Sequence, residues 1–339
     1  MLYRFAIIGC GNIGVRHAEH IAATGLLAAV CDIDPQRAAD IGSGSAAKLY
    51  SDAYKMLITE KPDVVVVCTP NGLHAEHTIM ALNAGCHVLC EKPMAISVAD
   101  ANRMIDAATQ NRRRLFVVKQ NRYNPPVTAV KSLLDQKKLG KIHAFQLNCF
   151  WNRPASYYKN SWRGTIAMDG GILFTQFSHF IDLLYWWLGE IETVKGFRSI
   201  ALHNGIIEFE DNGVASLVMK SGAIGCLQYS INAYHENFEG SVTLFGEKGT
   251  VKIGGQYLNN IEHFKVDGED MPQLAPSADS NKYGFYKGSM SNHHIVYEQL
   301  LMALKDPAHV IPEGDDGLKC IQMIRQIYDG SPFIETKNP

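Results

Sequence analysis

Five short apolar runs punctuate the first 120 residues: Phe5–Ile8, Leu27–Cys31, Val64–Cys68, His87–Cys90 and Leu115–Val118. They are dense in Val and Ile, and apolar at almost every position rather than at alternate ones. Strands of that kind are buried on both faces, which requires a parallel sheet with helices on each side. Stretches with helix-spaced apolar residues, such as Ala75–Ala84 and Ala99–Ala108, lie between them and supply that cover.

The pattern changes after Gln120. Residues 124–138 read as a helix, 141–151 as a long strand, 151–165 as a loop rich in Trp, Tyr, Arg and Pro, and 171–188 as one helix. Candidate strands at 191–200, 205–210, 214–220, 223–233, 240–246 and 250–254 are joined by turn signals such as Asp211-Asn212-Gly213 and Glu247-Lys248-Gly249, the mark of antiparallel pairing. Residues 267–292 are polar and read as loop, and helices at 293–305 and 314–328 close the chain. With 339 residues the chain exceeds one ordinary core. The expectation is two domains, 1–122 and 123–339, with the last helix free to return to the first.

Thirty-two basic residues against thirty-four acidic ones give a formal charge of -2, so no basic face for nucleic acid is implied. No stretch approaches the ~20 apolar residues of a membrane helix, and the N-terminus has no secretory apolar region. The eight cysteines are scattered without a C-x-x-C pair, which argues for reduced thiols and a cytoplasmic location.

The first apolar run leads into Gly9-Cys10-Gly11-Asn12-Ile13-Gly14 and then a helix. Glycines at this spacing permit a tight turn and close approach of a pyrophosphate to the helix N-terminus. The second run ends at Asp32, a carboxylate placed to hydrogen-bond a ribose diol and repel a 2′-phosphate, which favours NAD over NADP. Thr69, Pro70 and Asn71 follow the third run at the same edge of the sheet. After the fourth run comes Glu91-Lys92-Pro93. Proline has no N–H for a ladder, so the strand stops there and the lysine stands at the rim, where an ammonium can stabilise an alkoxide. The pairs His17/His20 and His74/His77 share helix faces but lack a third ligand nearby, so no metal site is expected. Arg112-Arg113-Arg114 reads as a solvated turn.

In this order Gly9–Gly14, Asp32, Thr69-Pro70-Asn71 and Glu91-Lys92-Pro93 resemble the Gfo/Idh/MocA oxidoreductases. The resemblance implies an α/β protein: a Rossmann-type doubly wound parallel sheet, then an α+β domain with a large open, mostly antiparallel sheet. It implies NAD as cofactor, held by Gly9, Gly11, Asn12, Ile13, Gly14, Asp32, Thr69, Asn71, His74, Glu91, Lys92 and Asn121. Lys92 corresponds to the lysine beside the nicotinamide, and His179 to the proposed proton acceptor; the base assignment is shared between them. Asp182 matches a structural aspartate, and Thr175 replaces an aspartate common in the family.

Phe116–Arg122, Phe150–Pro154, Tyr157-Tyr158, Trp162–Thr165 and Asp169–Gly171 resemble the members that oxidise the C3 hydroxyl of UDP-N-acetylglucosaminuronate in O-antigen assembly. That implies a nucleotide-sugar substrate met by Lys92, Arg122, Arg153, Tyr158, Arg163, Thr175 and His179. Two arginines suit phosphate and carboxylate oxygens, and Trp151, Tyr157, Tyr158 and Trp162 offer ring faces. The segment 281–293 is longer than its counterpart. Family members pair through the open sheet face, which implies a dimer or tetramer. The alternatives are a UDP-GlcNAc or inositol dehydrogenase of the same family, and a non-catalytic NAD-binding regulator.

Overall fold

The computed structural model describes residues 2–159, 161–275, 280–283 and 286–334. It separates into two compact units. The first contains the residues up to Lys119 together with His293–Ile321; the second contains Gln120–Asn292 and the residues from Gln322 onward.

In the first unit, β1 (Arg4–Ile8), β2 (Leu26–Cys31), β3 (Lys48–Tyr50), β4 (Val64–Val67), β5 (His87–Cys90) and β6 (Leu115–Val117) form one parallel sheet, ordered β3-β2-β1-β4-β5-β6. Phe5, Ala6, Ile7 and all four valines of β4 have no solvent exposure, as continuous apolar runs require. The chain order reverses between β1 and β4, and ligands bind beyond the strand tips at such a switch point.

There is a sixth strand where the sequence suggested five. Lys48-Leu49-Tyr50 carries no apolar run because β3 is an edge strand, with Leu49 half exposed. Glu91 therefore follows the fifth of six strands. Side chains cap the helices between strands: Asp34 accepts from the Gln36 amide, Asp52 from Lys55 and Ser97 from Asp100. The Arg112–Arg114 reading needs correction at its last residue. Arg114 donates through Nε to Glu313 Oε1 at 2.9 Å and through Nη1 to the Ala303 carbonyl at 2.5 Å, holding the returning segment. These partners lie about two hundred residues away in the chain, beyond any local pattern.

The second unit is built on β7 (Ile142–Phe150), β8 (Ile191–Ser199), β9 (Asn212–Met219), β10 (Ile224–Ser230), β11 (Glu239–Gly246), β12 (Gly249–Gly254) and β13 (Asn260–Val266), ordered β13-β12-β11-β7-β10-β9-β8. Only β7 and β10 pair in parallel. Alternation decides the faces. Leu147, Cys149, Ala215, Leu217, Leu227 and Leu244 are buried on one side, where the helix Ser178–Leu188 packs against β7. Phe197, Val214, Ile224 and Phe245 are exposed on the other.

Four readings of this region change. Residues 205–210 are not a strand: the Asp211 carboxylate takes the amides of Ala201, Leu202 and His203, so the segment coils around it. Asn260–Val266 is an edge strand in which Ile261, Phe264 and Val266 are interrupted by polar residues, so no continuous apolar run marks it. Within 267–292, β14 (Ser280–Tyr283) pairs with β15 (Tyr286–Met290), while 276–279 and 284–285 lie outside the described residues, as does part of the segment 281–293. The helix expected over 171–188 is two, Ile172–Thr175 and Ser178–Leu188. At the break the Ile172 carbonyl accepts both the Gln176 and Phe177 amides, and the Phe177 ring is fully buried beside Trp151, Phe180 and Tyr229.

Gly171 opens this helix pair at φ 125, and a Cβ there would lie 2.3 Å from the Tyr328 hydroxyl. That hydroxyl receives the Leu173 amide and donates to the buried Glu210. Gly171→Ala should therefore destabilise the second unit by about 2–4 kcal/mol, seen as a lower urea midpoint, through backbone strain and overpacking together.

Candidate active site

The glycine turn is made by its own backbone. Gly9 has φ 97, and a Cβ there would stand 2.6 Å from the Cys68 carbonyl carbon and 2.8 Å from the Thr69 amide nitrogen. A Cβ on Gly14 would meet the Gly9 carbonyl oxygen at 2.3 Å, whereas one on Gly11 would meet nothing within 4 Å. Two glycines thus close the turn and the third leaves open space, the cradle a pyrophosphate requires. Asn12 and Ile13 begin the helix Asn12–Thr24 immediately beyond it. Asp32 is oriented on both oxygens: Oδ2 accepts from the Cys10 amide at 2.7 Å and Oδ1 from the Asp34 amide at 2.9 Å. A carboxylate locked to the glycine turn in this way fits a dinucleotide. Burial pushes the neighbouring Cys10 thiol up to about 12, so it stays protonated.

Beyond β4, the Thr69 hydroxyl lies 3.1 Å from His77 Nδ1, and Asn71 starts a short 3₁₀ turn, buried. His74 departs from its expected place against the cofactor. It is buried, with Nδ1 2.7 Å from the Pro93 carbonyl and Nε2 2.8 Å from that of Thr69. Burial lowers its pKa, and a neutral ring donates its one N–H to one of the two carbonyls. It bridges two strand tips and offers no ring nitrogen outward.

Glu91 also turns inward. It is 4 % exposed; Oε1 lies 3.0 Å from His17 Nε2 and 3.3 Å from His293 Nε2, and Oε2 accepts the Lys92 amide at 3.0 Å. Burial alone would raise its pKa, but the hydrogen bonds from the two histidines hold it well below the usual carboxylate range. Lys92 itself is half-buried at the strand tip, ahead of a cis Pro93.

In the second unit the turn Gln120–Tyr123 carries Asn121 and Arg122, both buried. Asn121 Oδ1 has no hydrogen-bond partner among the described residues. Arg122, expected among the substrate contacts, is ion-paired within its unit. Its Nε and Nη2 fork onto the two oxygens of Asp182 at 2.8 and 2.9 Å, and its guanidinium covers the Trp186 ring at 5.0 Å. A bidentate pair of this kind uses the geometry a substrate carboxylate would need. Arg153 is similarly committed. It is 2 % exposed and donates to Gln176 at 2.8 Å, Asn237 at 3.1 Å and the Asn152 carbonyl at 2.6 Å. Trp151 is core, buried against Phe177, Phe180 and Tyr257, and offers no free face.

His179 lies on the helix Ser178–Leu188, 4 % exposed, with Nε2 3.5 Å from the side-chain Nε2 of Gln120. One turn earlier, Thr175 donates its hydroxyl to Asp169, whose other oxygen accepts the Gly164 amide at 2.9 Å. A buried carboxylate therefore stands behind Thr175 although its own short helix, Ile172–Thr175, has none. Asp169 was visible in the sequence only as the residue before a glycine pair. Arg163 stacks on the rings of Tyr157 and Trp162 at 4.7 and 4.8 Å, partly exposed. The Tyr158 ring packs on Tyr157 and His203, and its hydroxyl has no partner among the described residues; burial raises its pKa.

Residues 3–119 match the model of an oxidoreductase family with an NAD-binding Rossmann fold, GFO_IDH_MocA, and 127–252 match the GFO/IDH/MocA C-terminal domain. The chain belongs to the Gfo/Idh/MocA oxidoreductase family. Within that family it is 27% identical over 254 residues to a myo-inositol 2-dehydrogenase of Thermotoga maritima, covering 73% of this chain and 74% of the relative. Among solved structures it resembles the WlbA dehydrogenase of Bordetella pertussis in complex with NADH and UDP-GlcNAcA. That pair shares 34% identity with a TM-score of 0.87, over 97% of this chain and 96% of the other. The WlbA dehydrogenase of Chromobacterium violaceum, solved with the same two ligands, gives 33% and 0.87, over 97% and 93%. As a Gfo/Idh/MocA member this chain is an NAD-dependent dehydrogenase acting on an alcohol, with the Rossmann α/β architecture that the sequence suggested. Among the described residues no helix is long and apolar enough to cross a membrane.

Burial lowers the pKa of His17, His20 and His74, that of His20 to about 4. Each is neutral when folded and takes up a proton on unfolding once the pH is below its ordinary value of 6.5. Unfolding is therefore favoured as pH falls from 7.5 to 5.5, and amides of the first unit should lose hydrogen-exchange protection over that window. Unchanged protection would contradict the neutral assignment.

Proposed function

We propose that this enzyme oxidises the C3 hydroxyl of a UDP-linked N-acetylglucosaminuronate to the 3-keto sugar, in the assembly of O-antigen sugars in the cytoplasm. The supporting observation is the 34% identity along 97% of the chain to a structure holding NADH and UDP-GlcNAcA. The first unit holds NAD through Gly9, Gly11, Asn12, Ile13, Gly14, Asp32, Thr69 and Asn71. The second supplies the sugar-nucleotide contacts, with Arg163, Tyr158 and the ring of Trp162 as candidates for phosphate, carboxylate and base. NAD supplies the hydride acceptor. When bound, it would take the C3 hydride; either Lys92 as an ammonium would stabilise the oxygen as it gains negative charge while His179 takes the hydroxyl proton, or Lys92 as a neutral amine would take that proton itself. The outer face bearing Phe197, Val214, Ile224 and Phe245 is assigned to contact between copies, as a dimer or tetramer.

A second reading, an inositol dehydrogenase, draws on the curated relatives of Thermotoga maritima and Rhizobium meliloti, the latter 25% identical over 95% of both chains. NADH formation measured with UDP-N-acetylglucosaminuronate, UDP-GlcNAc and myo-inositol, with and without a 2-oxoacid to reoxidise bound cofactor, separates the readings. The first substrate should give the highest kcat/KM; turnover of inositol alone overturns the proposal. Lys92→Ala should lower kcat by about 10²–10³-fold, as loss of one preorganised donor does, with NAD binding by fluorescence titration unchanged. A non-catalytic regulator would be indifferent to that substitution.

A further inference from the structure

Among the described residues, one group of three side chains has the composition of a metal site: His17, Glu91 and His293, all buried. Its geometry is accounted for without an ion. An ionised carboxylate only accepts, so the protons of both approaching Nε2 atoms point at Glu91 Oε1, at 3.0 and 3.3 Å. That fixes His17 as the Nε2–H tautomer, and its Nδ1 then accepts from the Tyr297 hydroxyl at 2.9 Å. The two imidazoles meet edge to face, with ring centroids 5.3 Å apart. The second Glu91 oxygen receives the Lys92 amide. His17 belongs to the helix that begins at the glycine turn, and His293 and Tyr297 to the helix His293–Lys305, so three separated segments converge on the residue preceding the lysine.

We propose that His17 and His293 are positioning residues: they clamp the Glu91 carboxylate, which through the Lys92 amide fixes the lysine relative to the glycine turn. Within Glu91-Lys92-Pro93 the Lys92 amide holds one carboxylate oxygen, and the other is held only by the two distant histidines. With one donor removed, Glu91 loses a partner for a buried charge and the tip relaxes, at a cost that falls on the lysine's placement. This inference rests on the reading of Lys92 as the group that meets the alcohol.

The test compares His17→Leu and His293→Leu, which delete the donor at similar bulk, with His17→Gln and His293→Gln, which return an N–H near the Nε2 position. Two readouts are taken. One is the acylation rate of Lys92 in the free protein, followed by mass spectrometry against exposed Lys61 as reference; the other is kcat and KM for NAD. The Leu variants should acylate Lys92 several-fold faster and lose about 10–100-fold in kcat, the scale of a small misplacement, with KM for NAD within about twofold. The Gln variants should recover most of both. Should the Leu variants fail to fold, Tyr297→Phe removes only the hydroxyl that donates to His17 Nδ1 and steadies the ring, and should shift both readouts in the same direction by a smaller factor. Unchanged acylation and kcat overturn the clamp, as do Gln variants no better than Leu. Stoichiometric metal in the purified protein, with a chelator reproducing the Leu phenotype, overturns it in favour of a metal site. A wild type inactive on every sugar defeats the functional reading, while the acylation contrast still decides the clamp.

Discussion

The burial of Phe5–Ile8 in β1 and of all of β4 on both faces is the constraint from which the rest follows. Eight residues, Phe5–Ile8 and Val64–Val67, are at most 2 % exposed. Burying this much apolar surface needs helices above and below the sheet, and short right-handed crossovers then deliver the chain from one side to the other. The reversal of strand order between these two strands follows, and with it the open ground past their tips where the Gly9 turn, Thr69 and Asn71 gather. The tip of β5, with Lys92, is the next along the sheet.

The second unit solves a different problem. Its sheet buries one face beneath the helix Ser178–Leu188 and leaves apolar Phe197, Val214, Ile224 and Phe245 outside. The buried face carries the polar machinery on its covering segments rather than on its strands. His179 and Asp182 sit on the helix, Arg122 on the preceding turn, and Thr175 beside Asp169. Arg122 and Asp182 show how such a layer is made compatible with burial: two charges removed from water are matched in a bidentate fork, and Trp186 covers the guanidinium.

Much of this was legible in the chain. Runs such as Val64–Val67 announce a doubly covered strand because burial selects residue type at every position. The glycine turn is legible because Gly9 and Gly14 answer steric demands that no side chain can meet, and Asp32 because a carboxylate ends the second apolar run, the one that follows the glycine turn and its helix. The misreadings share one cause. β3 and β13 are edge strands with no continuous apolar run, so burial wrote little into them. Residues 205–210 look like a strand until Asp211 takes the amides. Arg122 and Arg153 read in the sequence as oxyanion binders, and the sequence shows nothing of their partners Asp182, Gln176 and Asn237. A guanidinium reads the same in sequence whether its partner is a ligand or a residue sixty positions away.

By itself the sequence determined the class of fold, the dinucleotide turn, and the order in which the functional segments reach the strand tips. These are encoded locally, in periodicity and in glycines whose backbone conformations other residues cannot adopt. Only the tertiary structure decided which polar groups are already spoken for. Glu91 precedes the lysine in the chain, yet what it does depends on His17 and His293, seventy-four residues before it and about two hundred after it. Hydrogen bonds between distant side chains leave no periodic trace, because they constrain a point in space and not a stretch of chain.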